Sequence, residues 1–317
     1  MHDRHDLTED EWARLEPLLP DQTPRRGGRW VDHRAVINGV LWRSRTSSPW
    51  RDLPSDYGRW KTIYHRHRRW SADGTWARIL DELRRGADQH TATDHGPEWS
   101  VGVDSTVVRA HQHAAGARHT RRRLTWSRRT SRTPRRIQGA GSNDKQSPSP
   151  TDREALGRSR GGLTTKIHLA ADARARPISR VITPGQRHDA VAFEPVMTGI
   201  RIQRRGRGRP RSRPDRVLAD KAYSHRPLRA HLRRRRIKTT IPERVDQQAH
   251  RARRGSLGGR PPKFDPDAYK DRNVVERCIN KLKQFRAVAT RYDKREYIFA
   301  GTVDVASIRI WLRDPVP

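Results

Sequence analysis

Two aspartates in strand-like segments are the first candidates for catalytic or metal-binding carboxylates. Asp104 lies within an apolar run, where an acidic side chain is costly unless it is paired or binds a metal ion. Strand alternation sends its carboxylate to the opposite face from Val103 and Ser105. Asp220 ends the run 216–220, at the kind of strand end where site residues are common. Taken alone, either aspartate is more often a cap or turn residue than a ligand.

A third carboxylate, Glu276, lies in a helical pattern over 269–283. At about 100° per residue, one polar stripe of that helix collects several chemically active side chains: Tyr269, Arg272, Glu276, Asn280 and Lys283. The opposite face is apolar, so we expect the stripe to face a cleft or solvent. A solvated face with an Arg272/Glu276 ion pair is the simpler interpretation, but it leaves the tyrosine and the second lysine unexplained.

The elements that position these residues begin with a helical, tryptophan-rich segment over 1–86. Thr8 and Glu11 predict a capping box for the first helix, and Asp32 begins the second. A third helix is amphipathic, and a fourth is expected to end at Gly86. We predict a helix-turn-helix-like DNA-binding domain. Its basic outer face would carry four residues: Arg59, Lys61, Arg66 and Arg69.

A polar linker is predicted at 87–98, after which the pattern changes to short β-rich runs. Strands are expected at 101–110, 163–171, 178–183 and 217–219. The basic, Gly/Ser/Pro-rich segment at about 118–160 predicts a disordered insertion. Two further basic segments, 204–214 and 250–263, predict surface loops that follow a phosphate backbone.

Composition indicates a polyanionic partner. The 317 residues include 69 Lys and Arg against 35 Asp and Glu, a formal charge of +34, which favours double-stranded DNA. No apolar run approaches the roughly 20 residues of a membrane span, and no signal peptide is apparent. The single cysteine, Cys278, excludes an intramolecular disulfide.

The surroundings of the three carboxylates resemble those of a known family. Four residues match, at the same spacings, the YREK signature of bacterial insertion-sequence transposases: Tyr269, Arg272, Glu276 and Lys283. The settings of Asp104 and Asp220 are similar to the two D motifs of that family. The similarity extends to 7–12, 50–54 and 161–168, and it is greatest to the insertion-sequence-five family.

This resemblance implies an α/β fold with a ribonuclease-H-like catalytic core, a mixed sheet flanked by helices, over 99–317. It also implies a catalytic triad of Asp104, Asp220 and Glu276. Further side chains would position DNA near the cut: Tyr269, Arg272, Lys283, Lys221 and Asn280. Cations there would neutralise phosphate charge and stabilise the developing negative oxygen.

The triad would bind Mg²⁺ or Mn²⁺, because three carboxylates without cysteine form a hard oxygen site. Two ions would activate the attacking oxygen and stabilise the leaving one. His111, His113 and His119 are rival ligands for zinc. Such turn histidines are more often solvated or in contact with phosphate, so a zinc role is not favoured.

The implied function is that of a DDE transposase, which binds the terminal inverted repeats of a mobile element, cleaves the DNA ends and joins them to target DNA. We expect it to oligomerise on DNA and to act in the bacterial cytoplasm, at the nucleoid. Two alternatives stay open: a ribonuclease-H-like nuclease that hydrolyses without joining, and an inactive remnant or repressor that only binds DNA. A tyrosine or serine recombinase is disfavoured, because it needs an activated hydroxyl nucleophile.

Overall fold

The computed structural model describes residues 4–22, 30–94, 98–117, 154–204 and 206–314, with only the backbone described for 86–94. The basic insertion predicted at 118–160 therefore lies outside the described residues as far as 153. From 154 on, the expectation of disorder is wrong, because Gly157–Ser159 form a strand that pairs within the sheet.

The N-terminal part is helical, as predicted. Its α-helices are α1 (Glu9–Leu15), α2 (His33–Thr46), α3 (Trp60–Ala72) and α4 (Thr75–Asp94). The predicted capping box is confirmed: the Glu11 amide donates to Oγ1 of Thr8 at 3.2 Å, and the Thr8 amide donates to Oε2 of Glu11 at 2.9 Å. Asp32 caps α2 by accepting from the next amides. Short polar side chains thus set where these helices begin.

The fourth helix is longer than predicted. It continues past Gly86 to Asp94, so most of the proposed linker at 87–98 is helical. A single glycine costs a helix only about 1 kcal/mol, and no proline interrupts the sequence before Pro97.

Arg66 does not lie on the basic outer face to which it was assigned. Its side chain is buried, with the guanidinium 4.1 Å from the ring centre of Trp30 and Nη1 2.7 Å from Nδ1 of His33. Burial lowers its pKa to about 10. The position lies at the edge of the apolar stripe, three residues after buried Ile63. The other three basic residues of this face are exposed: Arg59, Lys61 and Arg69.

Seven strands of the described residues form one mixed sheet. They are β1 (Ser100–Ala110), β2 (Gly157–Ser159), β3 (Gly162–Ala171), β4 (Pro177–Pro184), β5 (Arg216–Ala219), β6 (Lys238–Thr240) and β7 (Thr290–Arg291). β3 pairs antiparallel with β1, β2 and β4, whereas β5 is parallel to β1 and β6 is parallel to β5. The four predicted strands are confirmed; β2, β6 and β7 are too short to leave an alternating pattern.

Eight further helices flank this sheet within the described ranges. They are α5 (Gln112–Ala115), α6 (Asp189–Thr198), α7 (Arg226–Arg234), α8 (Val245–Arg253), α9 (Pro266–Lys270), α10 (Asn273–Lys283), α11 (Arg286–Ala289) and α12 (Glu296–Arg313). The expected mixed sheet flanked by helices is confirmed.

Two local predictions are wrong. The single helix expected over 269–283 is split, because the amides of Arg272 and Val274 bond to carbonyls three residues earlier and tighten the chain into a turn between α9 and α10. The loop expected at 250–263 begins inside α8, a helix with no buried residue. The sequence does predict that this segment is exposed. Its helix was not predicted, because a helix without an apolar stripe has no helical periodicity of hydrophobic residues in its sequence.

The C-terminal helix joins the N-terminal helices to the sheet domain. α12 packs against α2, α3 and α4, and Trp311 of α12 belongs to the same hydrophobic cluster as Trp70 and Trp76. Gly301 is the point of close approach, since a Cβ there would lie 2.0 Å from Oγ of Ser71 on α3. The N-terminal helices therefore share a continuous core with the sheet domain.

Candidate active site

Asp104 and Asp220 follow paired residues on adjacent parallel strands. β1 and β5 pair in a register that places Val103 opposite Ala219, and each of these residues immediately precedes one of the two aspartates. Parallel strands lie about 4.8 Å apart. The fold therefore brings these two predicted site residues side by side.

A glycine in β1 allows α10, which carries Glu276, to lie directly on the sheet. A Cβ at Gly102 would lie 3.1 Å from side-chain carbons of both Val274 and Val275. These two valines belong to the buried apolar face of α10. Glu276 lies beside that face with 45 % of its side chain exposed, and so reaches the same edge of the sheet as Asp104.

Arg272 connects the helix to the strand. Its Nη2 donates to Oε1 of Glu276 at 2.5 Å, and its Nη1 lies 3.5 Å from Oδ2 of Asp104. The guanidinium also lies 5.6 Å from the ring centre of Tyr269. Burial alone would lower the pKa of Arg272, but the hydrogen bond to Glu276 and the nearby negative charges outweigh burial and raise it. Four of the predicted site residues thus form one cluster.

The carboxyl group of Asp104 lies where ionisation is unfavourable. Burial is the largest cause; Asp220 and Glu276 add repulsion, whereas the Ser105 amide and the charge of Arg272 act in the opposite direction. The net effect raises the pKa of Asp104 to about 6. All three acids therefore interact, and such mutual repulsion is what a bound cation relieves.

The donor set suits a hard divalent cation, since carboxylate oxygens are the ligands that Mg²⁺ and Mn²⁺ prefer. Among the described residues, however, no three His, Cys, Asp or Glu side chains converge as metal ligands do. The Arg272 guanidinium instead lies between Glu276 and Asp104. The residues fit Mg²⁺ or Mn²⁺ in kind.

The rival histidines do not form a metal site in the part of the chain described. His111 stacks on Tyr292 with ring centres 4.5 Å apart, and its Nδ1 accepts from the amide of His113. His119 lies outside the described residues. Stacking on tyrosine accounts for the placement of His111 without a ligand role.

Three other predicted DNA-positioning residues lie at the surface around the acids. Nζ of Lys283 lies 3.5 Å from the carbonyl oxygen of Val107, on the strand that carries Asp104. Lys221 is exposed immediately after Asp220, and Asn280 is exposed one turn beyond Glu276.

A further carboxylate, Asp189, contacts Ser105, the residue after Asp104, and was not among the predicted site residues. Oγ of Ser105 donates to Oδ1 of Asp189 at 2.6 Å, and Nζ of Lys166 donates to the same oxygen at 3.1 Å. Burial disfavours the charge of Asp189, but these two hydrogen-bond donors leave its pKa below the ordinary value. Asp189 begins α6, where an acid is usually a partner of the helix dipole. Of the residues around Asp189, only Lys166 lies in a segment, 161–168, that the sequence comparison with the transposase family had picked out.

A basic cavity of about 920 Å³ lies between α7, β6, α8 and the segment that precedes α9. Eight Arg or Lys side chains and two carboxylates line it. The carboxylates are paired, Glu243 with Arg251 and Asp265 with Arg216. Positive charge is therefore in excess along this wall, whose lining includes Arg216 and Ser224, four residues before and four residues after Asp220.

Comparison with known families gives two matches that together cover most of the chain. Residues 7–80 match a family described as a putative transposase of IS4/5 family, and residues 96–302 match the family described as Transposase DDE domain. The second match spans the sheet, all three acids and the first seven residues of α12.

Individual relatives are similar over shorter stretches. A putative transposase for insertion sequence element IS6501 from Brucella ovis is 32 % identical over 151 residues, which are 48 % of this chain and 100 % of that protein. An uncharacterized protein of Sinorhizobium fredii is 36 % identical over 115 residues, 36 % of this chain and 85 % of its own length. Among solved structures, the Mos1 transposase paired-end complex with left transposon end aligns over 92 % of this chain and 80 % of that one at 11 % identity, with a TM-score of 0.24.

Proposed function

Because the chain belongs to the DDE transposase family of insertion sequences, we propose that it binds the terminal inverted repeats of such an element, cleaves the DNA ends and joins the 3′-hydroxyls to target DNA. One observation carries the proposal: Asp104 and Asp220 follow paired residues on adjacent strands, and Glu276 reaches the same edge from α10. We assign these three carboxylates as the catalytic residues and as the ligands of the metal.

The three carboxylates are assigned as metal ligands because of their oxygen donors and their negative charge. When bound, two Mg²⁺ or Mn²⁺ ions would supply the Lewis acidity that activates a water or 3′-hydroxyl and stabilises the leaving oxygen. Asp104 has to be ionised to serve as a ligand, and without metal its pKa is raised to about 6, so at lower pH protons compete with the metal for this carboxylate. No protein nucleophile is needed, so Tyr269 orients DNA rather than attacking it.

Arg272 has two partners in this proposal. Without DNA its guanidinium neutralises Glu276 and Asp104. With a phosphodiester at the site, the same fork can bind phosphate oxygens in a bidentate manner and release the carboxylates. We assign Lys283, Lys221 and Asn280, which lie at the surface, to hold the DNA strand near the cut.

The proposed contacts between the protein and duplex DNA are electrostatic. Arg59, Lys61 and Arg69 are exposed on or next to α3, and eight Arg or Lys side chains line the basic cavity. Lys and Arg outnumber Asp and Glu by 69 to 35, so double-stranded DNA is the proposed partner. We further propose that copies of the chain assemble on the two element ends, in the bacterial cytoplasm at the nucleoid. No helix in the described ranges has the length and apolar character of a membrane span.

Strand transfer tests the proposal. The full chain is incubated with a labelled element end that carries a free 3′-hydroxyl and with supercoiled target DNA. Joined product is expected with Mg²⁺ and Mn²⁺, little with Ca²⁺, which is larger and less strict in geometry, and none in chelator. Cutting without joining would identify a nuclease. End binding without either reaction would identify a DNA-binding remnant.

The Glu276→Gln substitution tests the triad itself. It preserves size and helix packing but removes a metal-binding charge, so cleavage and joining should fall at least about a thousandfold while end binding persists. Glu82→Gln is the matched control, because Glu82 also pairs with an arginine on its own helix, 2.9 Å from Arg85. Near-normal strand transfer by Glu276→Gln would show that the triad is wrongly assigned.

A further inference from the structure

A cavity of about 730 Å³ lies where the N-terminal helices meet the sheet domain. Six partly exposed aromatic side chains line it: Trp50, Trp60, Tyr64, His111, Tyr292 and Tyr297. We call it the aromatic cavity. Its volume lies within the roughly 300–1,000 Å³ of small-molecule sites. Trp50 belongs to the segment 50–54, which the proposed function leaves without a role.

Neighbouring rings hold one another in place around this cavity. Trp50 and Tyr64 meet edge to face with ring centres 5.5 Å apart, and His111 stacks on Tyr292 at 4.5 Å and 25°. Flat rings fixed by their neighbours but still partly exposed form a ready stacking surface. Leaving so much aromatic surface open to water is unfavourable unless a ligand covers it.

The rim of the aromatic cavity is basic. Arg51, Arg68, Lys294 and Arg295 line it and are exposed. The one carboxylate among the described lining residues is Asp293, whose Oδ1 lies 3.7 Å from Nη2 of buried Arg43. A ligand that matches both features has a flat aromatic part and a negative charge.

A nucleotide has both parts, and we propose that the aromatic cavity binds an unpaired nucleotide of the DNA substrate, with its base on the rings and its phosphate on the rim. In a duplex each base is covered by its neighbours, so a ring can stack only on a base that has left the helix. This inference takes DNA as the ligand from the proposed function, but it does not depend on the three acids.

The aromatic cavity is separate from the site of phosphoryl transfer. His111 immediately follows β1, the strand that carries Asp104. The two residues are seven positions apart, which corresponds to roughly 23 Å of extended chain. The cavity therefore contacts DNA away from the scissile phosphate, and its occupation is measurable without cleavage.

Binding in chelator tests the cavity. Fluorescence anisotropy of the full chain is measured with three labelled probes of equal length: a DNA single strand, an abasic strand and a duplex. Tyr64→Ala and Tyr292→Ala should each weaken binding of the single strand by about five- to a hundredfold, the range for loss of one stacked base. Binding of the abasic strand and the duplex should change little, and Tyr64→Phe and Tyr292→Phe should retain binding.

Trp12→Ala is the matched control, because Trp12 is a half-buried aromatic on α1 outside the cavity, with an arginine 5.6 Å from its ring centre. Melting curves identify variants that do not fold. For those, 2-aminopurine in the strand reports stacking on the unmodified protein, because its fluorescence should be quenched on binding.

Unchanged binding of the single strand by folded alanine variants would overturn the proposal, as would equal loss of the abasic strand or absence of quenching. Tighter binding of an RNA strand of the same sequence would assign the cavity to RNA instead. Since binding of the single strand is measured in chelator and requires no cleavage or joining, failure of this site and failure of the transfer chemistry are distinguishable.

Discussion

The guanidinium of Arg272 lies between two carboxylates that come from different elements, 2.5 Å from Oε1 of Glu276 on α10 and 3.5 Å from Oδ2 of Asp104 on β1. A fixed cation at this point offsets part of the repulsion that raises the pKa of Asp104. Because the same group is suited to phosphate, DNA binding and release of the acids are coupled in the proposed mechanism.

Removing this cation should move the pH dependence of strand transfer. In Arg272→Ala the pKa of Asp104 should rise above its present value of about 6, so the acid limb of the rate profile should shift to higher pH. The rate at neutral pH should fall at least about a hundredfold, since a phosphate contact is also lost. Arg272→Lys keeps the charge but not the fork, so it should recover the pH profile better than the rate. An unshifted acid limb in Arg272→Ala would contradict the electrostatic role.

Asp104 should destabilise the protein at neutral pH in the absence of metal. Its pKa is raised from 3.8 to about 6, so the folded state binds the proton more tightly, and stability falls as pH rises through this window. A difference of that size corresponds to roughly 3 kcal/mol at most. Asp104→Asn should therefore raise the free energy of unfolding by on the order of 1–3 kcal/mol at about pH 7.5, with the gain vanishing below about pH 4.

Asp189→Asn is the matched comparison, because the two side chains are similarly exposed, 22 % for Asp189 and 21 % for Asp104. The pKa of Asp189 is lowered, so its charge stabilises the fold above its unfolded pKa, and that contribution is lost as pH falls. Asp189→Asn should therefore lose stability at neutral pH. Urea unfolding at several pH values measures both variants, and effects of the same sign would contradict the assigned environments.

Much of the fold was predictable because its signals are local. The strand around Asp104, the capping box at Thr8 and the cap at Asp32 each depend on a few neighbouring residues, and all three are confirmed. The polar stripe around Glu276 depends on helical spacing alone. Three of its residues, Tyr269, Arg272 and Glu276, do come together, although Tyr269 lies on the preceding short helix.

The features that the sequence did not predict depend on tertiary contacts. Arginine is usually exposed at the surface, but Trp30 and His33 give Arg66 a buried site in which it stacks and forms a hydrogen bond. Asp189 and Ser105 are 84 positions apart along the chain, so no local sequence pattern indicates that they are in contact. These contacts depend on how elements meet in the fold, which periodicity does not describe.

The basic cavity should contribute measurably to the salt dependence of duplex binding. Arg260 and Lys263 are exposed on its wall, and replacing either with alanine should reduce the slope of log Kd against log salt by about one. Arg85→Ala is a control on α4, where the arginine pairs with Glu82. Titrations between about 50 and 200 mM salt measure the slopes. Equal slopes for all three variants and the parent chain would exclude this wall from the DNA interface.

The N-terminal helices and the sheet domain should unfold together, because α12 completes the core of both. At Gly301 an added Cβ would lie 2.0 Å from Oγ of Ser71, so Gly301→Ala should push α12 away from α3 and lower the free energy of unfolding by about 2 kcal/mol. Gly116→Ala is the control, since its nearest heavy atoms would be 3.7 Å away, on the flexible side chain of Lys294.

Ser71→Gly should partly rescue Gly301→Ala, because it removes the side chain that the new methyl group meets, and the coupling between the two changes is measured by a double-mutant cycle. Tryptophan fluorescence of the N-terminal helices and far-UV circular dichroism of the whole chain should show one coincident transition in every variant. Residues 1–94 expressed alone should melt without cooperativity, since Trp70 and Trp76 lose their partners on α12. Two separate transitions in the full chain, or a cooperative melt of 1–94, would show that the N-terminal helices fold independently of α12.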